Sequence, residues 1–221
     1  MDLVGTLLPL ALVVGLSPLP ITPAVLILMT PRARANSAAF LGAWVGALTG
    51  VTAVALLLAG SRDPGEPTEA GIGWIQVLTG TVFLVMAAAK WLRRPAPGAA
   101  KEPPRWMAAL GSYGPGQSAR LGAALAAANP KNLLMALAGG AEIAALADGA
   151  AATVAATVGF VAVGSIGVGT PILTHRILGE RAAPVLARWK TWLEGNSTAL
   201  AVGVLLVLGG ALLVKGLAGA L

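Results

Sequence analysis

A chain of 221 residues that is 57% apolar and only 11% charged has too few polar side chains to cover a soluble globule, where about 25% charged residues is usual. Its excess of Ala, Leu, Val and Gly over aromatics suits closely packed membrane helices, in which small residues let backbones approach. The formal charge of +6 reads as basic cytoplasmic loops rather than a nucleic-acid surface, and the absence of cysteine excludes disulfide and thiolate chemistry.

The first apolar segment, 3–30, is interrupted by Ser17-Pro18-Leu19-Pro20-Ile21-Thr22-Pro23. Proline lacks an N–H and clashes with the carbonyl four residues back, so this cluster predicts an unwound stretch. Such a break frees carbonyls before it and N–H groups after it, some of which Ser17 and Thr22 can satisfy. A half-helix from about Pro23 to Thr30 is expected to follow, with the positive end of its dipole at the membrane centre. The start, Met1-Asp2-Leu3, lacks a basic n-region and the apolar run continues through the prolines, so the segment is expected to stay in the mature protein. Segments 36–60 and 72–92 come next. In the former, Gly42, Gly46 and Gly50 form a small-residue ridge expected to pack against another helix.

After a Pro/Gly-rich linker, the fourth segment, 118–146, is interrupted at Asn129-Pro130-Lys131-Asn132. Asn129 is a fitting N-cap for a half-helix whose first turn holds Pro130. Lys131 lies ~16 Å inward of Arg120 by helical rise, near the midplane. A cation there costs ~2.5–3.5 kcal/mol on insertion scales and so should face a cavity or a partner. Glu142 belongs near the outer end of this segment, as a solvated helix end or as a candidate for proton coupling. In the fifth segment, 150–174, Gly159, Val163 and Gly167 make a looser ridge, and His175 beyond it reads as interfacial. From Pro184 to Glu194, Val185, Leu186, Trp189, Trp192 and Leu193 share one helical face, predicting a short helix lying in the cytoplasmic interface. The sixth segment is 197–218.

Loop charges orient the spans. Arg32 and Arg34 make the first loop basic, and Asp63, Glu66 and Glu69 make the second acidic. Arg93, Arg94, Lys101, Arg105 and Arg120 make the third basic, Asp148 the fourth acidic, and Arg176, Arg181, Arg188 and Lys190 the fifth basic. The positive-inside rule then puts loops one, three and five in the cytoplasm and both termini outside. The expectation is an all-α integral membrane protein of six transmembrane helices, built as two inverted three-helix repeats with helices 1 and 4 broken at midplane. The repeats are 1–92 and 118–221, joined by a cytoplasmic linker over 93–117. A matched pair of broken helices is where a transporter places its substrate.

Two inward-facing half-helix N-termini and the Lys131 ammonium form a site of positive potential suited to phosphate, sulfate or carboxylate. The substrate-binding candidates are Ser17, Pro18, Pro20, Thr22, Pro23, Asn129, Pro130, Lys131 and Asn132. No catalytic triad or P-loop is visible, so no enzyme activity and no cofactor is expected. One His and no Cys are too few ligands for a transition-metal site.

Gly15-Leu16-Ser17-Pro18-Leu19-Pro20-Ile21, Thr30-Pro31-Arg32-Ala33-Arg34-Ala35-Asn36 and Ala128-Asn129-Pro130-Lys131-Asn132-Leu133-Leu134 together resemble the GAP/Sap lipid-addressing family of the LysE exporter superfamily. The resemblance implies a six-helix bacterial inner-membrane protein with an inverted repeat, linked to export of envelope glycolipids. Carried over by position, its motifs fall on Ser17, Pro18 and Pro20, and on Asn129, Pro130, Lys131 and Asn132. Amino-acid exporters of the superfamily have a Pro-Gly-Pro-type first motif, and Leu19 stands here in place of that glycine. The leading expectation is outward movement of an anionic or amphipathic envelope lipid by alternating access. The partners are then the bilayer and its lipid-linked substrate, with a homodimer as a candidate assembly. The rivals are a proton-coupled exporter of small solutes such as amino acids, and a non-transporting scaffold for lipid export.

Overall fold

The computed structural model of the protein describes residues 3–60, 69–92 and 110–220, and every regular element among them is helical. Loop residues Arg62, Asp63 and Glu66 and linker residues Pro95, Pro97, Pro103 and Pro104 lie outside the described residues. α1 (Leu3–Gly15) and α2 (Pro18–Ile27) form one apolar run bent by 49°. The interruption is shorter than the prolines suggested. Ser17 is an extended N-cap with φ −70° and ψ 118°, and Pro18 and Pro20 fall in the first turn of α2. First-turn N–H groups have no helical acceptor, so proline forfeits nothing there. The half-helix therefore starts at Pro18 rather than Pro23, and Pro23 sits inside it, leaving the Leu19 carbonyl without its helical donor.

α3 (Ala33–Gly60) is unbroken, and α4 (Glu69–Leu92) follows it. The fourth apolar segment is split into α5 (Pro115–Ala127) and α6 (Pro130–Leu146). The fifth is split as well, which corrects the expectation of one continuous span: α7 (Gly149–Gly164) and α8 (Ile166–Leu178) meet at a 67° bend on Ser165. No proline lies in that bend. The Ser165 N–H turns back to the Ala162 carbonyl at 3.1 Å, and the Ser165 carbonyl accepts the Gly169 N–H at 2.7 Å. One helix thus closes on the residue that opens the next.

α9 (Ala183–Ala220) runs without interruption through both the expected interfacial helix and the sixth segment. No proline follows Pro184, so nothing in the backbone stops the helix at Glu194. Nor do its apolar side chains share one environment: Leu186 and Leu193 are buried while Trp192 is 55% exposed. By length and composition, α3 and residues 198–218 of α9 can each cross a membrane, and the bent pairs α1–α2 and α7–α8 bring the number to as many as four.

The chain divides into two compact units, residues 1–61 with 103–193 and residues 62–102 with 194–221. In the first, α3 packs along α5 and α6, α1 packs against α6 and α7, and α2 packs against α8. α3 buries Phe40, Trp44, Leu48 and Thr52, one residue per turn along a single face. Glycines on the partner helices bring backbones together on that face. A Cβ on Gly122 would meet the Phe40 carbonyl, and one on Gly140 would meet the Thr52 carbonyl and the Ala55 side chain. Both contacts advance along the two chains together, so α3 runs parallel to α5 and α6. The Gly42, Gly46 and Gly50 ridge does not serve this purpose, since among the described residues no neighbouring helix comes within 4 Å of where their Cβ atoms would stand. In the second unit, Gly80 of α4 and Gly209 of α9 meet backbone to backbone.

Candidate functional site

Ending α1 at Gly15 leaves its last carbonyls short of helical donors. The Leu12 carbonyl accepts the Leu16 N–H at 2.8 Å, and the Val14 carbonyl accepts the Ser17 N–H at 3.3 Å. Val13 is left over, because its ordinary donor is that same Ser17 N–H. The Lys131 ammonium fills the gap, donating from the first turn of α6 to the Val13 carbonyl. The two breaks therefore meet. A cation at a helix C-terminus also complements the negative end of the helix dipole.

The second break repeats the first. Asn129 has φ −74° and ψ 115°, within a few degrees of Ser17, and each is followed by a proline at the start of a helix. The Asn129 side chain accepts the Lys131 N–H at 3.1 Å, whereas Ser17, itself buried, makes no side-chain cap bond. On the other side of the break, the Ala124 carbonyl accepts the Ala128 N–H at 2.8 Å, and the Leu125 carbonyl accepts the Asn132 Nδ2–H at 2.9 Å. Val13 and Leu125 are equivalent, each one turn before an N-cap. Side chains of Lys131 and Asn132 complete both. The matching residues of the first break, Leu19 and Pro20, have no side-chain donor. Asn129→Ala is expected to destabilise the protein by about 1 kcal/mol through loss of its cap, and Asn129→Ser by less. Thermal unfolding in detergent micelles checks both.

Asn132 is fully buried and its Oδ1 has no hydrogen-bond partner among the described residues. The second break thus carries, on consecutive residues, an ammonium with two further N–H groups to give and a free acceptor on Asn132. The N-termini of α2 and α6 add positive potential. The other candidates frame this arrangement. Thr22 Oγ1 donates to the Pro18 carbonyl at 2.9 Å within α2, and Pro20 and Pro23 are buried. Pro18 is half-buried and Pro130 exposed. Glu142 is half-buried and stands three turns beyond Lys131 on α6, ~16 Å along the helix.

The Ser165 bend joins this assembly from the other side of α1, a feature the sequence reading missed. The fully buried Trp44 donates its indole N–H to Ser165 Oγ at 3.2 Å, fixing the bend to the core face of α3. A Cβ on Gly15 would meet the Val163 carbonyl, and one on Gly167 would meet the Gly15 carbonyl. The last turn of α1 is consequently held between Lys131 and a second broken helix. The available signal was the glycine spacing around Ser165, with Gly164, Gly167 and Gly169 close together. Trp44→Phe keeps the ring and removes the N–H; an expected loss of about 1 kcal/mol in unfolding free energy, measured by denaturant titration, checks the bond.

An open crevice of about 260 Å³ lies elsewhere, lined by Thr30, Pro31, Arg32, Gly111, Ser112 and Tyr113. It sits where α3 and α5 begin, and the buried Asn36 donates its Nδ2–H to the Tyr113 carbonyl of its lining at 2.8 Å. Among the described residues no cluster of His, Asp or Glu could hold a metal ion. A family model described as Sap, sulfolipid-1-addressing protein, matches residues 7–218. No curated protein and no solved structure matches the chain.

Proposed function

The chain belongs to the Sap, sulfolipid-1-addressing protein family, and from that premise we propose that it is an inner-membrane exporter moving an anionic or amphipathic envelope lipid outward. In this reading six spans form two inverted three-helix repeats of the LysE exporter type, both termini face outward, and access alternates around the breaks. The observation that carries it is the meeting of the breaks through Lys131 and Val13, because irregular backbone at membrane depth persists only where it is buried in protein or lines a cavity, and a transporter's substrate site is built from such paired breaks. The pairing of helices supports the repeat. α1 lies with α7 and α3 with α5–α6, as a two-fold exchange of the halves requires. The near-identical N-cap geometry of Ser17 and Asn129 supports it too.

Lys131 holds the acidic head group, Asn132 Oδ1 accepts from a hydroxyl beside it, and Asn129 with the prolines keeps the half-helices open. Reconstitution into liposomes with a head-group-labelled anionic lipid tests the reading. Movement of label between leaflets well above that of protein-free vesicles is expected. Flux of a small amino acid driven by a pH gradient, with no lipid movement, would replace it with the small-solute exporter. No flux of either kind would favour the scaffold.

A further inference from the structure

Lys131 has two calls on one charge. It caps the Val13 carbonyl at the end of α1, and it stands in the first turn of α6, beside the N-terminus where an oxyanion is attracted. Among the described residues the Val13 carbonyl has no other donor, because the Ser17 N–H bonds to Val14 instead. Asn132, the neighbouring donor, is occupied on Leu125 within its own break. Ser17, the nearest polar side chain in sequence, makes no cap bond. A group that draws Lys131 away therefore uncaps α1 and leaves the second break intact.

Resting on the exporter reading above, we infer that Lys131 is a latch on the α1–α2 bend, released when a phosphate or sulfate group competes with the Val13 carbonyl for the ammonium. A carbonyl offers a partial charge and an oxyanion a full one, so the ammonium prefers the anion where both are in reach. Losing the cap loosens the 49° bend: among the described residues one backbone hydrogen bond still ties it, from Ser17 to Val14 at 3.3 Å, while Gly167 packs against Gly15 and Ile21 on its two sides. Binding thus becomes movement at a single atom pair. The halves are unequal: the α1–α2 bend carries the latch, and the α5–α6 break stays capped by Asn132 throughout.

The chain has no cysteine, so Val4→Cys and Met29→Cys can carry spin labels at exposed positions, at the start of α1 and just beyond α2, in the full-length protein. Distance distributions between them, recorded in phosphatidylcholine nanodiscs, read the bend. Lys131 protein should give one narrow distance, Lys131→Arg should keep it, and Lys131→Met should lose it. Protein with native Lys131 should also lose it on addition of inorganic sulfate, or when phosphatidylglycerol is built into the nanodisc. A response to sulfate assigns a free anion as a sufficient trigger, and a response to phosphatidylglycerol alone assigns a lipid head group. A narrow distance under both anions overturns the latch, and that comparison needs no Lys131 variant. An equally narrow distance in Lys131→Met overturns it too. Lipid movement by the same labelled protein is scored separately: a bend that responds while no lipid moves keeps the latch and removes the exporter.

Discussion

Gly167→Ala is expected to cost the protein about 3 kcal/mol or more, enough to remove most of the folded material from membranes. The added Cβ would land on the Gly15 carbonyl, and it would also crowd the Ile21 side chain at 2.7 Å. Overpacking in a core commonly costs about 1–3 kcal/mol because side chains can still shift. Here the obstacle is backbone. It belongs to the last residue of α1, whose position is fixed by the Lys131 bond on one side and by Val163 on the other. Relief requires moving α1 away from α8, which opens the junction of two bent helices. Gly46→Ala is the matched control, since nothing stands within 4 Å of its Cβ position. It should be neutral or more stable by up to ~1 kcal/mol, the helix preference of Ala over Gly. Yield of monodisperse protein on size exclusion, together with thermal unfolding in detergent, separates the two. Equal behaviour of both variants would mean that Gly15 and Gly167 are not in backbone contact.

Lys131→Met should abolish most lipid movement while sparing much of the fold. A charge-assisted hydrogen bond contributes about 1.5–3 kcal/mol, which corresponds to a fall of roughly 10- to 100-fold in flux if it holds the transported group. The structural cost is separate and smaller in consequence: the Val13 carbonyl loses its donor, about 1–3 kcal/mol of stability. Lys131→Arg, which keeps the charge and the donors, should retain the stability and part of the flux. Initial rates in liposomes, normalised to folded protein, read the first effect, and unfolding midpoints read the second. Full flux in Lys131→Met would remove the lysine from the site. The scaffold alternative expects that tolerance, because it gives the Lys131 ammonium no ligand to hold.

Both breaks were legible because each is marked by a polar N-cap and a proline, Ser17-Pro18 and Asn129-Pro130. The extent of the first was overread. Proline count suggests disruption, but Pro18 and Pro20 occupy first-turn positions where a missing N–H is harmless. Lys131 was legible as a cation in need of a partner, and its partner was not, since Val13 contributes a main-chain carbonyl that its side chain does nothing to announce. The bend at Ser165 was hidden for a related reason. It is made by Gly164, Ser165 and two backbone hydrogen bonds, without the proline that marked the other two. The Gly42, Gly46 and Gly50 ridge misled in the opposite direction, while Val163 and Gly167 of the looser ridge do pack against Gly15. Spacing alone cannot say which face of a helix is used, and α3 packs through Phe40, Trp44, Leu48 and Thr52 rather than Gly42, Gly46 and Gly50.

The bond between Lys131 and Val13 spans 118 residues of sequence, and that separation sets an order of events during synthesis. At 5–20 residues per second, the carbonyl at the end of α1 waits roughly 6–24 s after its own translation before the residue that caps it is even added to the chain. Throughout that interval α1 and α2 exist without their clasp, and any chaperone or insertion machinery that holds them must tolerate an open joint. A nascent chain stalled anywhere before Lys131 is therefore the form most exposed to quality-control proteases, and one stalled shortly beyond α6 the first able to resist them.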